Sequence, residues 1–296
     1  MSLSKYEIVL KVVESGSLTK AGEALGLSQS AISHAVSGLE QELDLKLLHR
    51  GRAGIVVTHE GARLLDYMRA MLDLQKKLLQ EADLIKGLAT GIVTIGTFTS
   101  VSIHWLPQIL QSFQTQYPLI EVRLLDGDYQ EIEGWIAAGL VDFGFVNMPT
   151  DQRMEQMELH KDELLCVLPD DHRLCVEEMV TAEQIRNEAF IMPAKGCDRD
   201  LHRWLHEQGG SVRTRFELED DHAIMAMVQK GLGISILPGT ILNALPEGLA
   251  VRPLAPQAYR TIGLAAKSWK KGSPAARRAI SFIRSTFCME EEEHTP

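Results

Sequence analysis

The chain has 296 residues, 45% of them hydrophobic and 24% charged, with a formal net charge of −10. That length exceeds one compact domain, so two or three folding units are expected, and the composition excludes a disordered, collagen-like or disulfide-rich chain. No apolar run approaches the roughly 18 residues of a membrane span, and no basic start followed by an apolar stretch marks a signal peptide, so a cytoplasmic location without membrane contact is expected.

Charge is unevenly distributed. Residues 1–65 contain seven Lys/Arg and seven Asp/Glu, so the whole −10 lies beyond residue 65. An acidic body repels nucleic acid, which confines any DNA contact to the neutral N-terminal part. The four cysteines, Cys166, Cys175, Cys197 and Cys288, lack C-x-x-C spacing and are expected to be free thiols.

In chain order, Tyr6, Val9, Leu10 and Val13 stand at helical spacing ahead of Ser15-Gly16. Ser17 is placed to cap a second helix carrying Leu18, Ala21 and Leu25, which Gly26 ends. A third helix follows, with a predicted buried stripe of Ala31, Ile32, Ala35, Leu39 and Leu43. Its outer face holds Ser28, Gln29, Ser30, Ser33, His34 and Ser37. Lys and Glu would be the usual solubilising choice there. Short polar side chains instead let a helix approach base edges in a major groove, and two short helices joined by a glycine turn form a helix-turn-helix. Ser30 also has a plainer reading, as a residue that caps or hydrates the helix start.

The stretch LKLLHRGRAGIVVT predicts a hairpin, a wing whose Arg50 and Arg52 would meet phosphate or the minor groove. The alternative is two solvated loop arginines. From Thr58, a candidate N-cap, a helix runs without proline towards Gly87. Leu64, Met68, Met71, Gln75, Leu78, Ala82 and Ile85 fall alternately four and three apart, flanked by Leu65, Leu72 and Leu79, as in a heptad seam. So broad a stripe predicts pairing with a second copy through Leu64, Met68, Met71, Leu72, Leu78, Leu79 and Ile85; packing on the chain's own body is the alternative. A dimer also suits DNA, because two recognition helices one helical turn apart read a site with dyad symmetry.

Residues 89–296 alternate strand-like and helix-like stretches, which predicts an α/β body with a mostly parallel sheet. Its length allows two lobes, lobe 1 over 89–161 and 268–296 and lobe 2 over 162–267, with a ligand crevice between them. The N-terminal segments are bounded at 1–60 for the helix-turn-helix and wing and 61–88 for the linker helix. MEEEEHTP reads as a solvated acidic tail.

ESGSLTKAGEALGLSQSAISHAVSGLEQELDLKLLHR, followed by VTHEGARLL, resembles the N-terminal signature of the LysR-type transcriptional regulators, and VQKGLGISILP resembles a stretch of that family's effector domain. The departures are Gly22 in place of the second Ala of an AA pair, Asp44 where Gly is usual, Leu48 in place of an aromatic, and His34 in place of a frequent Gln. Gly22 would weaken its helix by up to about 1 kcal/mol. The resemblance implies a winged helix-turn-helix, a dimerising linker helix, commonly a tetramer, and a two-lobed effector domain like type 2 periplasmic binding proteins. It also implies that a small molecule in the cleft changes how the dimers sit on DNA, with RNA polymerase as a candidate partner and no cofactor.

TFTSVSIHWLP joins a strand end to a helix start, so Thr99, Ser100 and Ser102 are expected to converge on a carboxylate or another anion. Simple capping by Ser100 is the alternative, and the resemblance favours a pocket. Asn147 occupies a position where some aromatic-acid responders carry Arg, and Lys195 could supply charge from the facing lobe or be a plain loop lysine. His172, His202 and His206 with Cys175 and Cys197 lack the spacing of a metal site. No G-x-S-x-G, P-loop or H-E-x-x-H motif points to an enzyme. The competing class is a solute-binding or catalytic α/β protein whose N-terminal helices only oligomerise it.

Overall fold

Three short helices open the chain, α1 (Leu3–Ser15), α2 (Leu18–Leu25) and α3 (Gln29–Leu43), then a hairpin of β1 (Leu48–Gly51) and β2 (Gly54–Val57), then the long α4 (His59–Ile85). The structure, a computed structural model, describes residues 3–51, 54–85, 89–150, 153–194, 199–243 and 245–293. It divides into two units, Met1–Ala89 and Thr90–Pro296.

In the first unit each boundary has a local cause. The Ser17 hydroxyl accepts from the Lys20 N–H at the start of α2, and Gly26, at φ 67°, ends that helix in the left-handed conformation. The turn then folds back so closely that a Cβ on Gly22 would lie 2.6 Å from the Leu27 carbonyl oxygen. The glycine that costs α2 helical propensity is thus what lets the turn close. Thr58 caps α4 through the Gly61 N–H (2.8 Å), while its own hydroxyl donates to the Lys46 carbonyl (2.7 Å). Glu40 joins α3 to the wing, accepting from the Leu47 and Leu48 N–H groups and from Lys46 Nζ (2.9, 3.2 and 2.6 Å). Burial opposes its charge, but these donors outweigh burial and hold its carboxyl below the usual range.

The core of this unit is built from Tyr6, Val9, Val12, Leu18, Ala21, Ile32, Val36, Leu39, Leu47, Leu65 and Met68. The buried line of α3 is therefore Ile32, Val36 and Leu39, at i, i+4 and i+7. Ala31 is exposed, and Ala35 and Leu43 are half-buried, which corrects the predicted stripe by a fraction of a turn.

Helix α4 divides the apolar residues predicted for its seam. Met68 is 2% exposed in the core of its own unit, and Leu64 and Leu72 pack against that core, so these three are spent within the chain and are removed from the predicted dimer contacts. A different line is left bare. Tyr67, Met71, Leu74, Leu78 and Ile85 are exposed, again alternately four and three apart with Glu81 completing the spacing, and Leu79 is exposed beside them. Both lines follow one helical period, rotated about the axis, so the sequence pattern alone could not separate them.

The second unit begins with β3 (Gly91–Thr97), α5 (Thr99–His104), α6 (Leu106–Gln116), β4 (Ile120–Asp126), α7 (Tyr129–Ala138) and β5 (Phe143–Met148). The long β6 (Glu155–Pro169) leads out to β7 (Val180–Thr181), α8 (Ala182–Ile185), β8 (Ala189–Pro193), α9 (Arg199–Glu207), β9 (Arg213–Leu218), α10 (Asp221–Gln229), β10 (Ser235–Pro238) and α11 (Gly239–Leu242). The long β11 (Leu249–Ala266) returns and α12 (Pro274–Glu293) follows, its backbone continuing the helix through most of the acidic run, where a solvated tail is expected from sequence.

Strand order β10-β6-β11-β5-β3-β4 makes the sheet mixed rather than mostly parallel. β3 runs parallel to β4 and β5, whereas β6 and β11 are antiparallel to each other. A strand that leaves one lobe and a strand that returns to it must point in opposite directions. Leu159 belongs to the lobe 1 core and Leu164 to the lobe 2 core, which sets the outward crossing between them. The return crossing is corrected. Thr261–Ala265 already pair with β5, and Ile262, Leu264, Ala265 and Ala266 lie in the lobe 1 core, so the chain re-enters lobe 1 near Arg260, not at residue 268.

Asp44 caps α3 at φ 53°, the one non-glycine residue with positive φ among the described residues, and it places a negative charge at a helix C-terminus. Both features are unfavourable. Asp44→Gly is expected to stabilise the first unit by about 0.5–1 kcal/mol, read as a higher midpoint in urea denaturation.

Candidate functional site

Two regions bring polar side chains together. On the first unit, α3 turns one face to its core and the other outward. Ser28, Gln29, Ser30, His34 and Ser37 are exposed and Ser33 is half-buried. Ser28 is the N-cap, accepting from the Ala31 N–H at 3.2 Å, and its hydroxyl lies 3.0 Å from that of Ser30. The helix therefore starts with an outward cluster of small hydroxyl and amide groups, as a helix entering a groove requires. Beside it the hairpin pairs Arg50 with Ile55 and Gly51 with Gly54 through the backbone. Arg52 lies outside the described residues.

In the second unit a cleft of about 420 Å³ opens where the lobes meet. Its floor is the crossing of β6 and β11, where Asp162 and Arg260 are register partners. Arg260 is 3% exposed and donates through all three nitrogens: Nε and Nη2 to Asp162 Oδ2 (2.9 and 2.6 Å), Nη1 to the Tyr129 hydroxyl (2.9 Å) and Nη2 to Ser100 Oγ (2.9 Å), with the Phe98 ring 5.6 Å away. Burial works against its charge, but Tyr129 and Asp162 outweigh burial and hold the guanidinium above its ordinary range. Asp162 Oδ1 in turn accepts the Thr240 N–H at the start of α11 (2.9 Å). One buried ion pair thus reaches α5 and α7 of lobe 1 and α11 of lobe 2.

The predicted effector residues divide. Thr99 and Ser100 line the cleft. Ser100 is not the cap of α5, since the N-cap is Phe98; its hydroxyl accepts from Arg260. Ser102 lies outside the lining and donates to Asp126 (3.1 Å). Asn147 is also outside it. Fully buried, it donates through its side-chain amide to Asp200 and accepts from Arg199 through its backbone carbonyl, tying β5 of lobe 1 to α9 of lobe 2. Ser102 and Asn147 are thus corrected from ligand contacts to structural ties, because neighbouring carboxylates already occupy their donors. Lys195 lies outside the described residues.

Sequence reasoning missed Arg260, Tyr129, Asp128, Glu219 and Asp221. No pattern marked the ion pair, because β6 carries Glu155, Glu158, Lys161 and Glu163 besides Asp162, and β11 carries Arg252 besides Arg260. The described lining is rich in acids. Asp126, Asp128, Glu131, Asp200, Glu219 and Asp221 face the cleft, and the single cation among the described lining residues is Arg260, already paired. Burial first, then Asp220, pushes the Asp221 carboxyl up to about 6, against the opposing pull of Arg260 and His222.

Family profiles match both units: "Bacterial regulatory helix-turn-helix protein, lysR family" over residues 3–62 and "LysR substrate binding domain" over residues 86–288. The chain is 33% identical over 293 residues to the uncharacterized HTH-type transcriptional regulator YvbU of Bacillus subtilis, covering 98% of this chain and 100% of that protein. Among solved structures it resembles a full-length OxyR variant from Pseudomonas aeruginosa, with TM-score 0.75, 19% identity and coverage of 97% of this chain and 94% of that one. It also resembles full-length CbnR complexed with its target DNA, with TM-score 0.66, 21% identity and coverage of 97% and 100%.

Two measurements follow from the cleft. Arg260→Ala leaves Asp162 buried without its counter-charge and is expected to cost about 3–5 kcal/mol in urea denaturation. Asp221 binds its proton more tightly folded than unfolded, so its ionisation costs stability as pH rises from about 4 to about 6, and that cost persists above. Asp221→Asn is therefore expected to stabilise the protein near neutral pH by on the order of 2 kcal/mol, an advantage that shrinks towards pH 4 when unfolding is followed across that range.

Proposed function

The chain belongs to the LysR-type transcriptional regulators, and from that premise we propose that it binds a dyad-symmetric promoter site as a dimer and that a small molecule in the interlobe cleft controls this binding or the activation that follows. The observation that carries the DNA half is the two-sided α3, which supplies Ile32, Val36 and Leu39 to the core while presenting Gln29, Ser30, Ser33, His34 and Ser37 outward. Gln29, Ser33 and His34 read base edges. Ser28, Ser30, Ser37, Arg50 and Arg52 hold the sugar-phosphate backbone.

Pairing uses the bare line on α4, Tyr67, Met71, Leu74, Leu78 and Ile85. Its spacing is that of a heptad seam, and so many large apolar side chains left in water favour association. A second level of pairing to a tetramer is expected, with RNA polymerase as a further partner once the protein is on DNA. Cytoplasmic placement follows from this role, and no helix among the described residues is long and apolar enough to cross a membrane. The regulator is not an enzyme, and its cleft binds without turnover. The competing class, an α/β enzyme or solute binder with an oligomerising tail, leaves the outward polar face of α3 and the wing arginines without a role.

Mapping bound genomic fragments, then footprinting one of them, tests this reading. Binding is expected to weaken steeply with salt. Arg52→Ala should lower the slope of log affinity against log salt by about one per protomer with little change in sequence preference. His34→Ala should alter base preference, and Leu78→Glu should yield monomers that no longer footprint. Equal affinity for all sequences would defeat the proposal.

A further inference from the structure

Among the described residues, the lining of the cleft carries six acids and one base. Asp126, Asp128 and Glu131 project from lobe 1, at the end of β4 and the start of α7, while Asp200, Glu219 and Asp221 face them from lobe 2. Asp200 is paired with Arg203 and held by Asn147. Asp162 neutralises Arg260. The other five lining carboxylates have no ion pair among the described residues. Asp128 and Glu131 use part of their capacity on a reciprocal cap at the start of α7, and Asp126 accepts from Ser102, but hydrogen bonds to neutral donors leave the net charge in place.

Exposed and half-buried carboxylates gathered around an open cleft give it a negative potential that favours a cation. Two features identify the class of cation. The described residues contain no cluster of three His, Cys, Asp or Glu side chains spaced to hold a metal ion. The same cleft is lined by Phe98, Leu164, Ile236, Leu237 and Ile241, an apolar wall suited to a carbon skeleton.

We infer that the effector is an organic amine, a small molecule whose ammonium or guanidinium group sits between the carboxylates of the two lobes while its carbon skeleton lies on the apolar wall. Acids on both lobes give such a ligand a direct effect on lobe closure. Empty, Asp128 and Glu131 repel Glu219 and Asp221 and favour a wider cleft; occupied, each lobe gains by approaching the shared cation. A ligand with different affinities for two lobe arrangements shifts their populations.

This inference rests on the regulatory reading above and is tested separately from it. The full-length protein is titrated with arginine, agmatine and 1,5-diaminopentane, with glutarate as the charge-inverted control, following melting temperature and isothermal heat. At least one amine is expected to raise the melting temperature by several degrees, and glutarate to leave it unchanged. Glu219→Gln and Asp221→Asn, tested separately in case one perturbs folding, are each expected to weaken amine binding roughly ten-fold or more.

Stabilisation by glutarate alone, no response to any of the amines, or an amine response unchanged in both variants would each overturn the inference. If the protein footprints its promoter but no amine binds, the regulatory reading stands and this inference falls. If amines bind the cleft but no promoter site exists, the reverse holds.

Discussion

Where β6 and β11 cross between the lobes, Asp162 and Arg260 stand side by side with almost no access to water. Removing two charges from solvent carries a large desolvation cost, which further hydrogen bonds to both members of the pair help to offset. The partners in those bonds are Ser100 and Tyr129 in lobe 1 and the Thr240 N–H in lobe 2. The pair therefore does more than neutralise itself. It sets the starts of α5, α7 and α11 around one point, and that point is the floor of the cleft.

A second tie lies nearby. Asn147 and Arg199 join the end of β5 to α9, with the Asn147 side-chain amide on Asp200 and the Arg199 guanidinium on the Asn147 backbone carbonyl. Ion pair and amide tie together leave the lobes joined at the base, while the acidic rims of α7 and α10 face each other across open space.

The first unit reconciles two demands on single helices. In α3 the buried line and the outward polar face share fifteen residues, and the line of Ile32, Val36 and Leu39 decides which way the polar face points. In α4 the early turns bury Leu65 and Met68 in the domain core, whereas the later turns have no core beneath them. The apolar residues of this helix thus serve folding at one end and remain available for association at the other. A mutation in the first set acts through stability, and one in the second through assembly.

Local chemistry made the N-terminal architecture legible in the sequence. Ser17, Gly26 and Thr58 act at turns through bonds to residues a few positions away, and the α3 polar face follows from helical period alone, although the cap of α3 is Ser28 and not Ser30. The two-lobed body was also readable, because alternating strands and helices require covered sheets.

Tertiary structure decided whatever depended on partners distant in sequence. Arg260 and Asp162 are 98 positions apart, and Asn147 and Asp200 are 53 apart, so no spacing rule connects them. The same limit hid the return crossing near Arg260, the split apolar lines of α4 and the acidic lining of the cleft. Periodicity reports which residues share a face of one element, but the charge of a cavity is a sum over elements that only folding brings together.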